Sequence, residues 1–264
     1  MLIIAERINA TRKRIGKAVA ERDAEFIAKE ARHQAEVGAT HIDCNAGRKP
    51  EREVEDMKWL IEVVQAAVDL PISIDSANPD AIIAALKLVK KQPIINSVTA
   101  EKEKIEKVMP LARDHNTQLV ALCMGDGGMP SGLQDRIKSG EQILEAAARF
   151  NIAPDRLYFD PIIVPVSTNA SESIAAIEAV RHISTKFGGA HTTCGLSNIS
   201  FGLPNRNVLN RTYLAMLMAA GLDGVIMDPC EPHMMATVLA GRALLGRDEW
   251  CMDYITAGRA ERLD

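Results

Sequence analysis

The chain has 264 residues, 47% of them hydrophobic and 25% charged, with a formal net charge of -4. That is an ordinary globular composition, and basic residues scattered over a mildly acidic background exclude nucleic acid or an anionic membrane surface as the expected partner. No apolar run reaches membrane-spanning length, the first residues lack the basic start and apolar core of a signal peptide, and the five widely spaced cysteines contain no CxxC pair, so a reducing cytoplasm is the expected compartment.

From the N-terminus, short runs rich in β-branched and apolar residues alternate with longer amphipathic stretches. Leu2–Ile8, His41–Asn45, Pro71–Asp75, Pro93–Val98, Gln118–Met124, Leu157–Pro161, Thr192–Asn198 and Gly224–Asp228 read as strands. They lack the strict in/out alternation of half-exposed strands, as expected for parallel strands covered on both faces. Between them, Phe26-Ile27…Ala31…Ala35, Met57…Leu60-Ile61…Val64 and Ile82-Ile83…Leu86…Val89 show the 3.6-residue period of helices. Gly38, Gly221 and Gly246 stand where helices end. Eight strand-then-helix units at about 33 residues each match the length of a βαβ crossover. No linker or composition break divides the chain, and the G-x-G-x-x-G turn of a dinucleotide fold is missing. The expected architecture is α/β, a (β/α)8 TIM barrel forming a single domain over residues 1–264.

In such barrels the chemistry sits where strands end. The predicted strand tips carry Glu6 and Asn9, Asp43 and Asn45, Asp75, Asn96, Asp160, Ser197 with Asn198, and Asp228. Strand five instead runs into the glycine-rich Met124–Gly132, a candidate lid. An Asp or Asn at any one tip also serves as a helix cap, but Asp75, Asn96, Asp160 and Asn198 together point to one site. No lysine lies in a strand core, which disfavours Schiff-base chemistry, and strand one has no His-x-His. His191-x-x-Cys194 and Cys230-x-x-His233 read better as cysteines near surface histidines than as metal ligands. Neither a Gly-x-Ser-x-Gly elbow nor a glycine-lysine phosphate loop is present. What remains is a ring of amides and carboxylates suited to hydrogen-bonding a polar heterocycle.

These residues carry a resemblance. Leu2-Ile3-Ile4-Ala5-Glu6-Arg7-Ile8-Asn9, Ile74-Asp75-Ser76, Ile95-Asn96-Ser97, Tyr158-Phe159-Asp160-Pro161, Gly195-Leu196-Ser197-Asn198 and Pro204-Asn205-Arg206 are similar, in order, to the pterin-binding methyltransferases, the methyltetrahydrofolate:corrinoid protein methyltransferases among them. The resemblance implies a barrel, usually a homodimer, that binds tetrahydrofolate or 5-methyltetrahydrofolate as substrate in its C-terminal mouth. It implies that Asp75, Asn96 and Asp160, with Ser197 and Arg206, bind the pterin, and that Asn198, aided by Asp75, serves N5 in the methyl-transfer step. It further implies a cobalamin supplied by a partner corrinoid protein that docks transiently at the mouth, since no Asp-x-His-x-x-Gly corrinoid signature occurs in this chain. A dihydropteroate synthase-like pterin enzyme and a non-catalytic folate-binding subunit are the alternatives. The former is disfavoured because Gly195-Leu196-Ser197-Asn198 stands where that enzyme carries basic residues.

Overall fold

The computed structural model describes residues 1–47 and 50–263. Its strands are β1 (Leu2–Ala5), β2 (His41–Cys44), β3 (Ile72–Asp75), β4 (Ile94–Thr99), β5 (Gln118–Leu122), β6 (Leu157–Asp160), β7 (His191–Thr192) and β8 (Gly224–Met227). The helices are α1 (Lys13–Glu21), α2 (Ala24–Glu36), α3 (Pro50–Ala67), α4 (Pro79–Leu86), α5 (Lys102–Asp114), α6 (Gly132–Arg149), α7 (Ala170–Lys186), α8 (Arg206–Ala220), α9 (Met234–Leu244) and α10 (Met252–Arg259). Each of β1 to β6 pairs in parallel with its successor, and β1 pairs with β8, Leu2 standing opposite Gly224. The ring closes just beyond β7, where Gly195 bridges Ile226 and the Ile226 amide donates to the Cys194 carbonyl at 2.8 Å. This is the expected (β/α)8 barrel.

Helix starts follow from short polar side chains placed to accept the first free amides. Asp23 accepts from the Phe26 amide, Asn78 from Asp80 with Pro79 beginning the helix, and Asn169 from Ser171. Two of the predicted closing glycines do what only glycine does easily: Gly38 and Gly221 take φ of 110° and 120° at the ends of α2 and α8.

Successive strand side chains point to opposite faces. Ile42 and Cys44, Ile72 and Ile74, Leu119 and Ala121, and Leu157 and Phe159 belong to the apolar layer shared with the helices. On the alternate, inward positions Ile4, Ile94 and Val120 pack together as an apolar plug. These positions finish polar at Asp43, Asp75, Asn96 and Asp160. The strands therefore look continuously apolar in sequence only along their first halves.

Strand seven is the main departure from the sequence reading, which extends it over Thr192–Asn198. Only His191–Thr192 is strand, and Leu196–Ser200 forms a 3-10 turn. The Arg206 guanidinium donates to the Ser197 carbonyl at 2.5 Å and to Ser200 Oγ at 3.0 Å, taking up a carbonyl that an extended strand would use in its ladder. Predicted strand ends also overrun elsewhere, as at Leu2–Ile8, where regular pairing stops at Ala5.

Phe159 is fully buried beneath α6 and α7 and packs edge-on against Phe187, ring centroids 5.0 Å apart. Phe159→Ala is expected to lower unfolding free energy by about 3–5 kcal/mol through lost burial plus a cavity. Urea denaturation measures this, and a loss below about 1 kcal/mol would mean that the layer collapses to fill the void.

Candidate functional site at the barrel mouth

The polar strand tips converge on one end of the barrel, and their partners are largely one another. Asp43 on β2 is buried and accepts from Ser73 Oγ at 2.6 Å and from Asn96 Nδ2 at 3.4 Å. Asn45, just past β2, donates through Nδ2 to Asp75 Oδ2 at 2.9 Å, and its own Oδ1 is taken by the Gly47 amide at 2.9 Å. Asp75 and Asn96 are register partners on β3 and β4, which sets their side chains next to each other. Asp43 lies within hydrogen-bonding reach of Asp75. Burial pushes the Asp43 carboxyl well above the ordinary carboxylate range, and the nearby Asp75 pushes it further. Burial raises Asp75 as well, against the Asn45 hydrogen bond that favours its charge. Neighbouring carboxyl groups disfavour each other's ionisation, in the same direction as burial.

Opposite this pair stands Asp160 at the end of β6, 6% exposed. The Ile162 amide donates to Oδ1 at 2.7 Å and the Gly195 amide to Oδ2 at 3.2 Å. Each carboxylate oxygen keeps a second lone pair, so a paired donor face can still be received. Burial raises this carboxyl to about 6, the two amides and the nearby Arg136 opposing the shift. The neighbouring thiols Cys123 and Cys194 are buried and pushed upward, so they are neutral near pH 7.

The turn after β7 supplies Ser197 and Asn198. Ser197 Oγ donates to Glu6 Oε1 at 2.8 Å, joining the tips of β1 and the turn. Asn198 is exposed toward solvent, and one hydrogen of its amide goes to the Ile163 carbonyl, leaving the other hydrogen and Oδ1 available. Arg206 sits at the start of α8 and holds this turn through its backbone, as described above. Around the β1–β8 rim, Arg12 pairs with Glu6 at 3.1 Å, Arg7 pairs with Glu30 at 2.8 Å and Asp228 at 3.4 Å, and burial raises Glu6. Asn9 turns its Oδ1 to the Thr11 amide and hydroxyl and so caps its own loop.

Asp75, Asn96, Asp160, Ser197 and Asn198 thus stand at the same mouth. Side chains behind them were not singled out from the sequence. Glu53 on α3 accepts from Ser76 Oγ and from Asn78 Nδ2, at 2.5 and 3.2 Å, fixing the loop that follows Asp75. Arg136 on α6 is fully buried behind β6. A wholly buried arginine has no sequence signature beyond lying on a helix face whose neighbours are apolar. His191 donates or accepts at Nδ1 with Asp223 at 2.5 Å and stacks on Tyr158 at the opposite end of the barrel, and Cys194 is buried. Among the described residues no group of three or more His, Cys, Asp or Glu is arranged to hold a metal ion. A surface cleft of about 580 Å³ lies elsewhere, between α2, α9 and α10, with Glu36, Arg242 and Asp253 in its lining. It contains none of the converging tips, so chemistry rather than volume marks the mouth as the candidate site.

The sequence and the fold have counterparts. Residues 5–228 match the family described as pterin binding enzyme. The chain is 37% identical over 268 residues to a methylcorrinoid:tetrahydrofolate methyltransferase of Eubacterium limosum, covering 100% of this chain and 98% of that relative. It is 30% identical over 240 residues to methionine synthase of Mycobacterium tuberculosis, covering 86% of this chain but 20% of that longer protein. Among solved structures, 7,8-dihydropteroate synthase from Vibrio fischeri superposes with a TM-score of 0.71 at 15% identity, over 93% of each chain, which is a likeness of fold. A barrel whose inward positions turn from apolar plug to amide and carboxylate at one mouth, matched along 5–228, belongs to the pterin binding enzyme family.

Proposed function

We propose that the protein transfers a methyl group between N5 of 5-methyltetrahydrofolate and the cobalt of a corrinoid protein, the same site serving either direction. The observation that carries this reading is the convergence of Asp75, Asn96, Asp160 and Asn198 at one mouth, in a chain similar along its whole length to a protein named for that reaction. A pterin presents its 2-amino group and N3–H as adjacent donors, and the Asp160 carboxylate receives both. Asn96 both donates and accepts, matching the mixed edge of the ring, with its amide already steadied by Asp43.

Methyl on a tertiary amine leaves poorly unless the nitrogen gains a proton or a stronger hydrogen bond as the bond breaks. When the methyl carbon departs for cobalt, the C–N electron pair stays on N5, and N5 ends the reaction carrying a proton where the methyl was. Asn198 is not the proton source, because a carboxamide does not titrate near neutral pH. Its free amide hydrogen strengthens its bond as N5 becomes basic, which stabilises the transition state more than the ground state. Burial raises both carboxyls of the Asp43–Asp75 pair, which favours their protonated forms and makes the pair the group from which solvent relays that proton. Ser197 and Arg206 serve the pterin through the turn that carries Asn198.

The corrinoid protein docks over the mouth, where Phe201 beyond the turn and Met129 in the glycine-rich loop expose apolar side chains. The chain works as a homodimer, with exposed Met216 on α8 as an interface candidate. A cytoplasmic setting agrees with its free cysteines and with the lack, among the described residues, of any helix long and apolar enough to cross a membrane. The deciding experiment mixes the protein with 5-methyltetrahydrofolate and cob(I)alamin. The visible spectrum is expected to convert to that of methylcobalamin. Tight folate binding without conversion would instead favour a binding subunit, and pteroate formation from the pterin pyrophosphate and p-aminobenzoate a synthase.

A further inference from the structure

Arg136 has no exposed surface, yet none of its hydrogen bonds reaches the mouth directly. Its Nε donates to the Pro161 carbonyl at 2.7 Å and its Nη2 to the Ile162 carbonyl at 3.1 Å. Its Nη1 donates to the Gly132 carbonyl at 2.7 Å and pairs with Glu172 of α7 at 2.6 Å. Glu172 in turn accepts from the Gly132 amide at 3.0 Å, so α6, α7 and the loop after β6 meet at one guanidinium. That loop is the segment on which both sides of the mouth depend. The Ile162 amide holds Asp160 and the Ile163 carbonyl holds the Asn198 amide. Ile162 takes φ of 61°, a conformation that β-branched residues rarely adopt and that neighbouring contacts must enforce. The two carbonyls gripped by Arg136 flank that residue's backbone. Burying a charge is costly unless it is fully hydrogen-bonded, and an apolar side chain would fill the same space more cheaply if packing were the only need.

We propose that Arg136 is a positioning residue for the pterin subsite: by fixing the Pro161 and Ile162 carbonyls it sets the direction of the Asp160 carboxylate and, through Ile163, of the Asn198 amide. The proposal rests on the folate reading given above. Lysine keeps the charge but not the planar fork, and a single ammonium does not reach four acceptors held in that plane.

The test compares wild-type protein with Arg136→Lys and Glu172→Gln at a temperature where circular dichroism shows all three folded. For Arg136→Lys, KM for 5-methyltetrahydrofolate is expected to rise about tenfold and kcat with cob(I)alamin to fall about tenfold, magnitudes in keeping with a misplaced binding group. The acid limb of tetrahydrofolate affinity is expected to move to higher pH, because the Ile162 amide that favours the charge of Asp160 is no longer held in place by its gripped peptide. Glu172→Gln, which keeps an acceptor for Arg136, should move the same quantities in the same direction by about threefold, and it decides the matter if Arg136→Lys does not fold. A fall in melting temperature with KM, kcat and the pH limb unchanged assigns Arg136 to stability alone and overturns the proposal. Wild-type protein that neither binds tetrahydrofolate nor transfers methyl overturns the folate reading together with it, whereas an active wild type with unchanged variants overturns the positioning role only.

Discussion

Asn198→Ala is expected to lower the rate of methyl transfer by about a hundredfold, as removal of one oxyanion-type donor does in other enzymes. The side chain contributes an interaction that strengthens as N5 gains electron density, so its loss falls on kcat more than on KM. The fold should survive. Asn198 is exposed, and among the described residues its side chain makes one hydrogen bond, to the Ile163 carbonyl, which solvent can replace. Stopped-flow spectroscopy of cob(I)alamin consumption, with tetrahydrofolate affinity measured in parallel, separates the two effects. An unchanged rate would remove Asn198 from the mechanism, and a rate loss matched by an equal loss of affinity would make it a binding residue instead.

Asp160→Ala is expected to weaken tetrahydrofolate binding by roughly 1–3 kcal/mol, about fivefold to 150-fold, since the pterin donors would lose a charged acceptor. The wild-type curve should also depend on pH in a definite sense. A carboxyl raised to about 6 is half protonated there, so affinity falls on acidification through pH 6, by up to tenfold per unit below it. That limb should vanish in Asp160→Ala. The same shift acts on stability in the opposite sense. A native pKa above the unfolded value near 3.9 favours the folded state at low pH, and that contribution is lost as pH rises from about 4 through 6. The free protein is therefore least helped by Asp160 at the pH where the ligand needs it ionised, and folate should restore the difference. Calorimetric titration across pH 5–8 checks the first part and thermal melts with and without tetrahydrofolate the second; affinity flat across that range would place the pterin edge elsewhere.

The depth at which Asp160 sits explains why this residue combines cost and use. At 6% exposed it receives two backbone amides before any ligand arrives. A preorganised carboxylate of this kind rejects a heterocycle lacking one donor, because the unmatched oxygen stays buried and unsatisfied. Asp43 and Asp75 are arranged differently: their hydrogen bonds come from the side chains of Ser73, Asn45 and Asn96, which tie the tips of β2, β3 and β4 into one polar floor.

Much of this molecule is decided by local chemistry that the sequence displays. Apolar runs at intervals of about 33 residues, helical stripes between them and a polar residue ending nearly every run dictate eight parallel strands joined by seven crossovers of one hand. Once a barrel forms, those ends meet at a single mouth. Asp75, Asn96 and Asp160 could be named for that reason, each standing at the end of an apolar run. What needed the tertiary structure was everything set by contacts between units distant in the chain. The turn after strand seven is held by Arg206 through the Ser197 carbonyl, and the Asp43–Asp75 pair depends on the register of neighbouring strands. Arg136, more than twenty residues before the loop it grips, is fixed only by where α6 and α7 pack against β6. Periodicity reports which face of an element is buried, since burial averages over many neighbours; it does not report which single partner a polar group meets there, because that is chosen by the packing of the whole.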